Sequence, residues 1–381
     1  MNAGPAIAAR IRREGPIPFD VFMELALYGD GGFFTSGRGA GRAGRDFVTS
    51  PEVGALFGAC VARALDRGWE ALDRPDPFLV VEAGAGTGRL ARDVLRAAPA
   101  CAPALRYVLV ERSPALRAQQ RDRLRLEPAD EALGPFGAQR GDDRPIPEPG
   151  TGPVCTSLPD LPAITFDGIV FGNELLDNLP FGIAEWRAGA WHEVRVTVEG
   201  GGFAEVVVPA PDLSPGIDGD LAEGARVPVP SGMRAWLYDC ARIVHRGFVV
   251  LVDYLDEAAG VARRGQDGWL RTYRSHERGT DPLHDPGTQD ITADIVTEQL
   301  AHAAQAAGFA VASVTTQAEW LRDLGIDELT AQGRATWEQG AARGDLAALA
   351  GRSRVNEAAA LTDPAGLGAH RVVVLSKGAA R

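Results

Sequence analysis

Short apolar runs alternate with amphipathic stretches along most of this chain, which is the pattern of a sheet with helices packed on its faces. The runs that predict strands are FLVVEAG (78–84), RYVLVE (106–111), FDGIVFGNE (166–174), GFVVLVDYL (247–255), FAVASVTT (309–316) and HRVVVLS (370–376). The stretches that predict helices are GRLARDVLRAA (88–98), PALRAQQRDRLR (114–125), MRAWLYDCARIV (233–244) and ADIVTEQLAHAAQAAG (293–308). A Pro/Gly-rich stretch, 134–162, has room for one more short strand. This order predicts a doubly wound α/β core.

Three stretches lie outside that alternation. The N-terminal residues combine a short amphipathic stretch, a glycine-rich segment and a helix that we expect to begin with Ser50 as N-cap and Pro51 at the first helical position. Residues 184–210 predict a β-hairpin or small meander, and Asp256 to Thr292 form a long polar segment without clear regular structure. We therefore expect an N-terminal helical lid segment, 1–75, and a second unit, 76–381, with insertions at about 185–235 and 256–292.

An acid and three alternating glycines follow the first of these strands and predict a ligand site. Glu82 begins the pattern E-x-G-x-G-x-G, whose loop residues are Gly84, Ala85, Gly86 and Gly88. No Gly-Lys-Ser/Thr follows, which excludes a P-loop, and Arg89 stands where a dinucleotide fingerprint needs glycine. The acid favours S-adenosylmethionine, whose amino group needs an acceptor. A tight turn without a ligand is the alternative interpretation.

Glu111 ends the next strand, where its carboxylate can accept both hydroxyls of a ribose. Open α/β sheets bind ligands at the carboxyl ends of their strands, so the loop and this acid meet at one edge. We also place Ser50 and Arg112 among the cofactor contacts.

The composition of the chain limits the classes of partner that it can bind. The 381 residues carry a net charge of −12, which argues against non-specific nucleic-acid binding. The four cysteines form no CxxC pair and the six histidines show no ligand spacing, so we expect neither a disulfide framework nor a metal site. No apolar run has the length of a membrane span, and no secretory signal is visible, so we expect a cytoplasmic protein. Lys377 is the only lysine, which suggests the genome composition of a high-GC bacterium.

With these motifs the chain resembles the MidA family of class I methyltransferases, whose mitochondrial members are complex I assembly factors. The matching stretches are LYGDGGFF, DFVTSPE, LFG, the glycine loop, VERSPALRAQQ, GNELLDNLP, LRTYRSHERGTDPLHDPGTQDIT and TTQAEWLRDLGI. The resemblance implies a Rossmann-like class I fold with a seven-stranded, mostly parallel sheet, S-adenosylmethionine as cofactor, and methylation of an arginine in a partner protein. Arg45, Ala85 and Leu255 depart from the family pattern.

Methyl transfer requires an aligned nucleophile and an acceptor for its proton. Asn173, Glu174 and Asp177 stand at the carboxyl end of the 166–174 strand, so we predict that they act at the transferred methyl group, with Asn173 also touching the cofactor. Capping of a following helical turn is the alternative for the two acids. We further expect lid or substrate contacts from Asp46, Glu52, Tyr273 and His276.

Three functions remain open at this stage. The first is a methyltransferase that acts on an arginine or another nitrogen of a protein. The second is a small-molecule O- or N-methyltransferase of specialised metabolism, and the third is a non-catalytic assembly factor that binds S-adenosylmethionine. A protein substrate and a possible homodimer are the expected partners; no nucleic acid, membrane or metal is expected.

Overall fold

The computed structural model describes residues 2–36, 49–134, 148–217, 221–274, 277–341 and 346–379. Its strands are β1 (Ile17–Pro18), β2 (Phe78–Ala83), β3 (Leu105–Val110), β4 (Val154–Leu158), β5 (Phe166–Asn173), β6 (Gly182–Arg187), β7 (Ala190–Glu199), β8 (Gly202–Pro209), β9 (Arg226–Val229), β10 (Val244–Asp253), β11 (Leu255–Asp256), β12 (Leu270–Arg274), β13 (Glu277–Gly279), β14 (Asp290–Ala293), β15 (Ile295–Val296), β16 (Ala310–Thr316) and β17 (Arg371–Lys377). Its α-helices are α1 (Gly4–Glu14), α2 (Phe19–Tyr28), α3 (Ser50–Val53), α4 (Ala55–Ala71), α5 (Arg89–Arg96), α6 (Pro114–Gln120), α7 (Ala129–Leu133), α8 (Ser231–Ile243), α9 (Ala258–Arg264), α10 (Gln266–Trp269), α11 (Thr297–Ala306), α12 (Gln317–Asp323), α13 (Ile326–Gly340) and α14 (Leu346–Leu361).

Seven strands form the central sheet, in the order β16-β17-β10-β5-β2-β3-β4. Neighbouring strands from β10 to β4 are parallel, and β17 runs antiparallel to both β10 and β16. The prediction of a seven-stranded, mostly parallel sheet is therefore confirmed. The short strand expected in the Pro/Gly-rich stretch is β4.

Helices cover both faces of this sheet because successive strand residues point to opposite sides. In β2, Val80 packs on one side with α4, α5, α12 and α14, whereas Leu79 and Val81 pack on the other with α7, α8 and α11. All three side chains are at most 2% exposed. The strand is thus apolar on both faces, as parallel strands inside a doubly wound sheet are.

A second sheet comprises β1, β6, β7, β8 and β9. Its β6–β7 turn has positive φ at Ala188 and Gly189, and its β7–β8 turn has positive φ at Gly200 and Gly201, which confirms the predicted hairpins. Helices α1 and α2 pack on this sheet in a third apolar cluster, whereas α4 packs on the central sheet. The N-terminal residues therefore contribute to two different layers, and the boundary at residue 75 stays a prediction.

The predicted beginning of the helix near residue 50 is wrong by one residue. Thr49 is the N-cap, in a capping box with Glu52, and Ser50 is the first helical residue. The Ser50 hydroxyl instead donates to Gln317 Oε1 at 2.8 Å. The helix also stops at Val53 and restarts at Ala55, so one predicted helix is two.

Three further expectations need correction. The segment 256–292 is not irregular, since it contains α9, α10 and the three-stranded sheet β13-β12-β14. Ala293 ends β14 and Ile295–Val296 form β15, so α11 begins only at Thr297, and α6 ends at Gln120 rather than near residue 125. The strands here are only two to five residues long, too short for an alternating pattern to indicate them. No helix among the described residues is long and apolar enough to cross a membrane.

The first turn of α4 receives its hydrogen-bond acceptor from a distant helix. Glu357 of α14 is 8% exposed, and its Oε2 accepts the backbone N–H of Leu56 at 2.9 Å. Its Oε1 accepts the Ser353 hydroxyl at 2.7 Å. A carboxylate here also interacts favourably with the positive end of the α4 dipole.

We expect Glu357→Ala to lower the free energy of unfolding by about 1–2 kcal/mol, because an α4 backbone N–H loses its charged acceptor. Ser353→Ala is the control, since it leaves the bond to Leu56 intact. Urea denaturation of both variants measures the difference. Equal effects of the two substitutions would show that Glu357 does not cap α4.

Candidate functional site

A cavity of about 670 Å³ opens at the carboxyl ends of β2, β3 and β5. This volume is within the range of small-molecule and cofactor sites. The predicted residues that line it are Glu52, Glu82, Gly84, Ala85, Gly86, Glu111, Arg112, Asn173 and Glu174. Residues that the sequence analysis did not select also line it, and they include Tyr28, Phe34, Arg89, Asp160, Leu179 and Trp236.

The glycine loop adopts a backbone that side chains disfavour. Gly84, Gly86 and Gly88 have φ values of 70°, 52° and 75°, all left-handed. A Cβ on Gly86 would meet no atom within 4 Å, so that position leaves the backbone open to a ligand. A Cβ on Gly88 would lie 3.1 Å from Leu109, and Gly88 does not line the cavity. Its placement favours close packing over the predicted cofactor contact.

Glu111 is held by two backbone groups. Its Oε2 accepts the N–H of Gly86 at 2.9 Å, and its Oε1 accepts the N–H of Ser113 at 2.8 Å. Burial raises the pKa of Glu111, while these two bonds lower it. Each carboxylate oxygen can accept more than one hydrogen bond, so both retain capacity for the hydroxyls of a ribose.

Glu82 lies at the base of the cavity and is 5% exposed. Its Oε2 accepts the Tyr107 hydroxyl at 2.8 Å. Burial raises the pKa of Glu82 to about 8, and the bonds from Tyr107 and the Ala91 backbone oppose that rise. A ligand cation in the cavity would favour the ionised carboxylate.

Two buried polar atoms beside the cavity have no partner among the described residues: Asn173 Oδ1 and Arg89 Nε. The Asn173 amide nitrogen donates to Glu174 Oε1 at 3.0 Å. An acceptor and a cationic donor without partners fit the ammonium and carboxylate groups of an amino acid. Together with the glycine loop and Glu111, these atoms fit S-adenosylmethionine. Sequence reasoning missed Arg89, whose only signal was that it replaces the third glycine of a dinucleotide fingerprint.

Glu174 lines the cavity on the side of α3. It has a left-handed backbone, with φ of 48°. Burial and the nearby charge of Asp253 raise the pKa of Glu174 to about 8, while Asn173 and the backbone of Ser50 donate to its carboxylate. The structure thus puts the Glu174 carboxyl where the sequence predicts it, and its catalytic role stays a prediction.

Asp177 lies elsewhere than the sequence suggested. It is 5% exposed and does not line the cavity. Burial raises its pKa well above the ordinary range, and the charges of Asp253, Asp290 and Glu174 raise it further. Its Oδ1 has no partner among the described residues. The acid therefore belongs to a buried carboxylate cluster, because the turn after β5 directs it away from the cofactor cavity.

Arg112 connects the cofactor strand to the N-terminal helices. Its guanidinium pairs with Glu24 and lies 4.2 Å from the centre of the Tyr28 ring. The Tyr28 ring stacks on Phe34 at 5.4 Å, and its hydroxyl donates to the carbonyl of Asn178 at 3.1 Å. The predicted contact of Arg112 with the cofactor would thus come from a side chain that is already bound to α2.

The remaining predicted residues have different positions. Glu52 lines the cavity beside Thr49, whereas Ser50 is fully buried and its hydroxyl is engaged by Gln317. Tyr273 in β12 is half-buried, near Asp177 and Asp290. Asp46 and His276 lie outside the described residues. The described residues contain no group of three or more His, Cys, Asp or Glu that could hold a metal ion.

The fold and this cavity define an S-adenosylmethionine-dependent methyltransferase. Residues 60–315 match the family of S-adenosyl-L-methionine-dependent methyltransferases, so the chain belongs to that family. A Burkholderia thailandensis protein whose crystal structure holds S-adenosyl-homocysteine is 28% identical, with a TM-score of 0.78 over 100% of this chain and 92% of that one. These comparisons confirm the predicted fold, enzyme class and cofactor.

Relatives with named activities match most of the chain. The mitochondrial "Protein arginine methyltransferase NDUFAF7 homolog" of Drosophila melanogaster is 28% identical over 326 residues, 79% of this chain and 70% of its own. The mitochondrial "Protein arginine methyltransferase NDUFAF7" of Xenopus tropicalis is 27% identical over 345 residues, 84% of this chain and 74% of its own.

We expect Glu111→Ala to weaken binding of S-adenosyl-homocysteine by about 1.5–3 kcal/mol, because charge-assisted hydrogen bonds to the ribose are lost. The dissociation constant should rise roughly ten- to hundred-fold. Calorimetric titration measures it, with Glu131→Ala, an exposed acid of α7, as the control. An unchanged constant would place the ribose elsewhere.

The raised pKa of Glu82 predicts a pH dependence of stability in the cofactor-free protein. The folded pKa is about 8 against an ordinary value of 4.5, so the unfolded chain releases the proton first as pH rises. As pH rises from 4.5 to about 8, the free energy of unfolding of the wild type should therefore fall relative to that of Glu82→Gln, in which residue 82 cannot titrate. Urea denaturation at pH 5, 6.5 and 8 tests this. A wild-type-minus-variant difference that stays constant with pH would contradict it.

Proposed function

We propose that this methyltransferase transfers the methyl group to a side-chain nitrogen of arginine in a protein substrate. The observation that carries the proposal is the carboxylate cluster beside the cofactor cavity: Glu174, Asp177, Asp253 and Asp290. These acids interact electrostatically with one another, and Asp177 retains an oxygen without a partner among the described residues. Burial raises the pKa of Glu174 and Asp177, and a cation bound beside them would favour their ionised forms, so the cluster suits a cationic acceptor group.

Arginine is a demanding nucleophile because its guanidinium keeps its proton at neutral pH. S-adenosylmethionine supplies an electrophilic methyl group when bound. The protein must therefore orient one guanidinium nitrogen and accept the proton that leaves it. Glu174 lines the cavity, and its pKa of about 8 makes its carboxylate a stronger base than an ordinary glutamate.

Aromatic rings accompany the acids. Tyr254 and Tyr273 are half-buried. Burial raises the pKa of Tyr273, the charge of Arg271 lowers it and that of Asp177 raises it. Arg271 lies with its guanidinium 5.7 Å from the Tyr254 ring. The π face of a tyrosine ring attracts cations, so these rings add to an environment that suits a cation. This arrangement supports a planar cation as the acceptor more than it supports a neutral small molecule.

The relatives named as protein arginine methyltransferases support the same substrate class. A non-catalytic role for the cofactor is less well supported, because Glu174 and Asn173 remain at the cavity. The cytoplasmic location and the homodimer stay part of the proposal. The location rests on the cysteines: Cys60, Cys101, Cys155 and Cys240 are all free thiols, as a reducing compartment allows.

Labelling identifies the acceptor. The purified protein is incubated with methyl-labelled S-adenosylmethionine and a cell lysate, and labelled proteins are digested and sequenced by mass spectrometry. We expect the label on arginine residues. Label found only on small molecules, or on oxygen atoms of proteins, would contradict the proposed substrate class.

We expect Glu174→Gln to lower the methylation rate by about 10²- to 10⁴-fold, because the amide keeps the shape but neither orients a cation nor accepts a proton. Affinity for S-adenosyl-homocysteine should stay within about threefold, since the glycine loop and Glu111 are unaltered. Glu319→Gln, an exposed acid at the N-terminus of α12, is the control. A normal methylation rate of Glu174→Gln would show that Glu174 has no catalytic role. Loss of cofactor binding would show that its role is structural.

A further inference from the structure

Asp253, at the end of β10, binds the chain that follows the neighbouring strand β5. Its Oδ2 accepts the backbone N–H groups of Leu175 at 3.1 Å and Leu176 at 2.8 Å. Its Oδ1 accepts the N–H of Tyr254 at 2.8 Å. The residue is 1% exposed and does not line the cofactor cavity. Its carboxylate therefore contacts backbone at both strand ends and is out of reach of the cofactor.

The residue immediately before this contact is Glu174, which is strained. Its φ of 48° is left-handed, a conformation that residues with a Cβ rarely adopt. Its own N–H donates to the carbonyl of Val252 at 2.8 Å. Bonds to β10 thus hold the chain at Glu174 and on its C-terminal side. A strained residue persists only where its surroundings hold it in this way.

We propose that Asp253 is a positioning residue for methyl transfer: by binding the N–H groups of Leu175 and Leu176 it holds Glu174 in the left-handed conformation that brings its carboxyl to the cavity. The inference rests on the proposed role of Glu174 in turnover but not on arginine as the acceptor. Whether Asp253 holds the backbone of Glu174 can be measured without any methyl acceptor.

A comparison of the two variants Glu174→Ala and Glu174→Gly tests the backbone conformation at position 174. Both substitutions delete the carboxyl, but only glycine adopts a left-handed φ without strain. With Asp253 present, we expect Glu174→Gly to melt about 2 °C above Glu174→Ala. When Asp253→Asn is added to both, the amide offers fewer acceptors to the backbone and the turn relaxes, so the difference should vanish.

Asp66→Asn is the matched control. Asp66 also binds two backbone N–H groups, those of Ala100 at 3.0 Å and Cys101 at 2.9 Å, but at another site. It should lower the melting temperature while leaving the glycine–alanine difference at position 174 unchanged. If that difference persists with Asn at position 253, or also disappears in the Asp66→Asn background, Asp253 does not hold Glu174 and the proposal is overturned.

The kinetic measurement tests the consequence for turnover. Asp253→Asn should lower kcat for methyl transfer by at least about tenfold, because small displacements of a reacting group have large effects on rate. The dissociation constant of S-adenosyl-homocysteine should stay within about threefold of wild type. Added to Glu174→Gln, the substitution should cause no further loss of rate. A normal kcat, or additive losses in the double variant, would overturn the proposal.

Asp253→Ser replaces Asp253→Asn if the latter does not fold, since a hydroxyl keeps one acceptor and fits the same space. The two proposals fail in different ways. If the label in the lysate experiment falls on another atom than an arginine nitrogen, the substrate class is wrong and the melting result is unaffected. If the glycine–alanine difference does not respond to residue 253, the positioning role is wrong whatever the acceptor.

Discussion

Buried carboxylates that accept backbone N–H groups are the interaction on which the site depends. Glu111 ties the glycine loop to the end of β3, and Asp253 ties the turn after β5 to the end of β10. Burial raises the pKa of each carboxyl and the backbone bonds lower it, so the N–H groups offset the cost of burying a charge. Because each acid belongs to one strand end and binds the loop of another, the loops around the cavity hold their positions before any ligand binds.

The central sheet and the cofactor half of the site were accessible from the sequence because their signals are local. Strands such as β2, with the sequence FLVVEA, are short apolar runs, and the glycines of the loop stand where the backbone is left-handed. Glu111 follows its strand directly, and the carboxyl ends of parallel strands lie along one edge. The chain order alone therefore places Glu111 beside the glycine loop.

The half of the site that holds the carboxylate cluster depends on tertiary contacts, which the spacing of residues along the chain does not reveal. Asp177 follows Glu174 closely in the chain, yet it is buried away from the cavity beside Asp253 and Asp290, which come from β10 and β14. Ser50 has the chemistry of an N-cap, but Thr49 and Glu52 form a better reciprocal pair. The long helices α13 and α14 pack mainly against each other, and no motif in the sequence indicated them.

The position of β17 has a consequence for how the chain folds during synthesis. This strand lies between β10 and β16, although both precede it in the chain. Until residues 371–377 have been synthesised, one edge of β10 has no partner strand, and the apolar cluster that Val373 will join is incomplete. The unfinished sheet therefore has an open edge on which other chains can pair. Even with its cofactor site already translated, the protein is exposed to aggregation until that strand is in place.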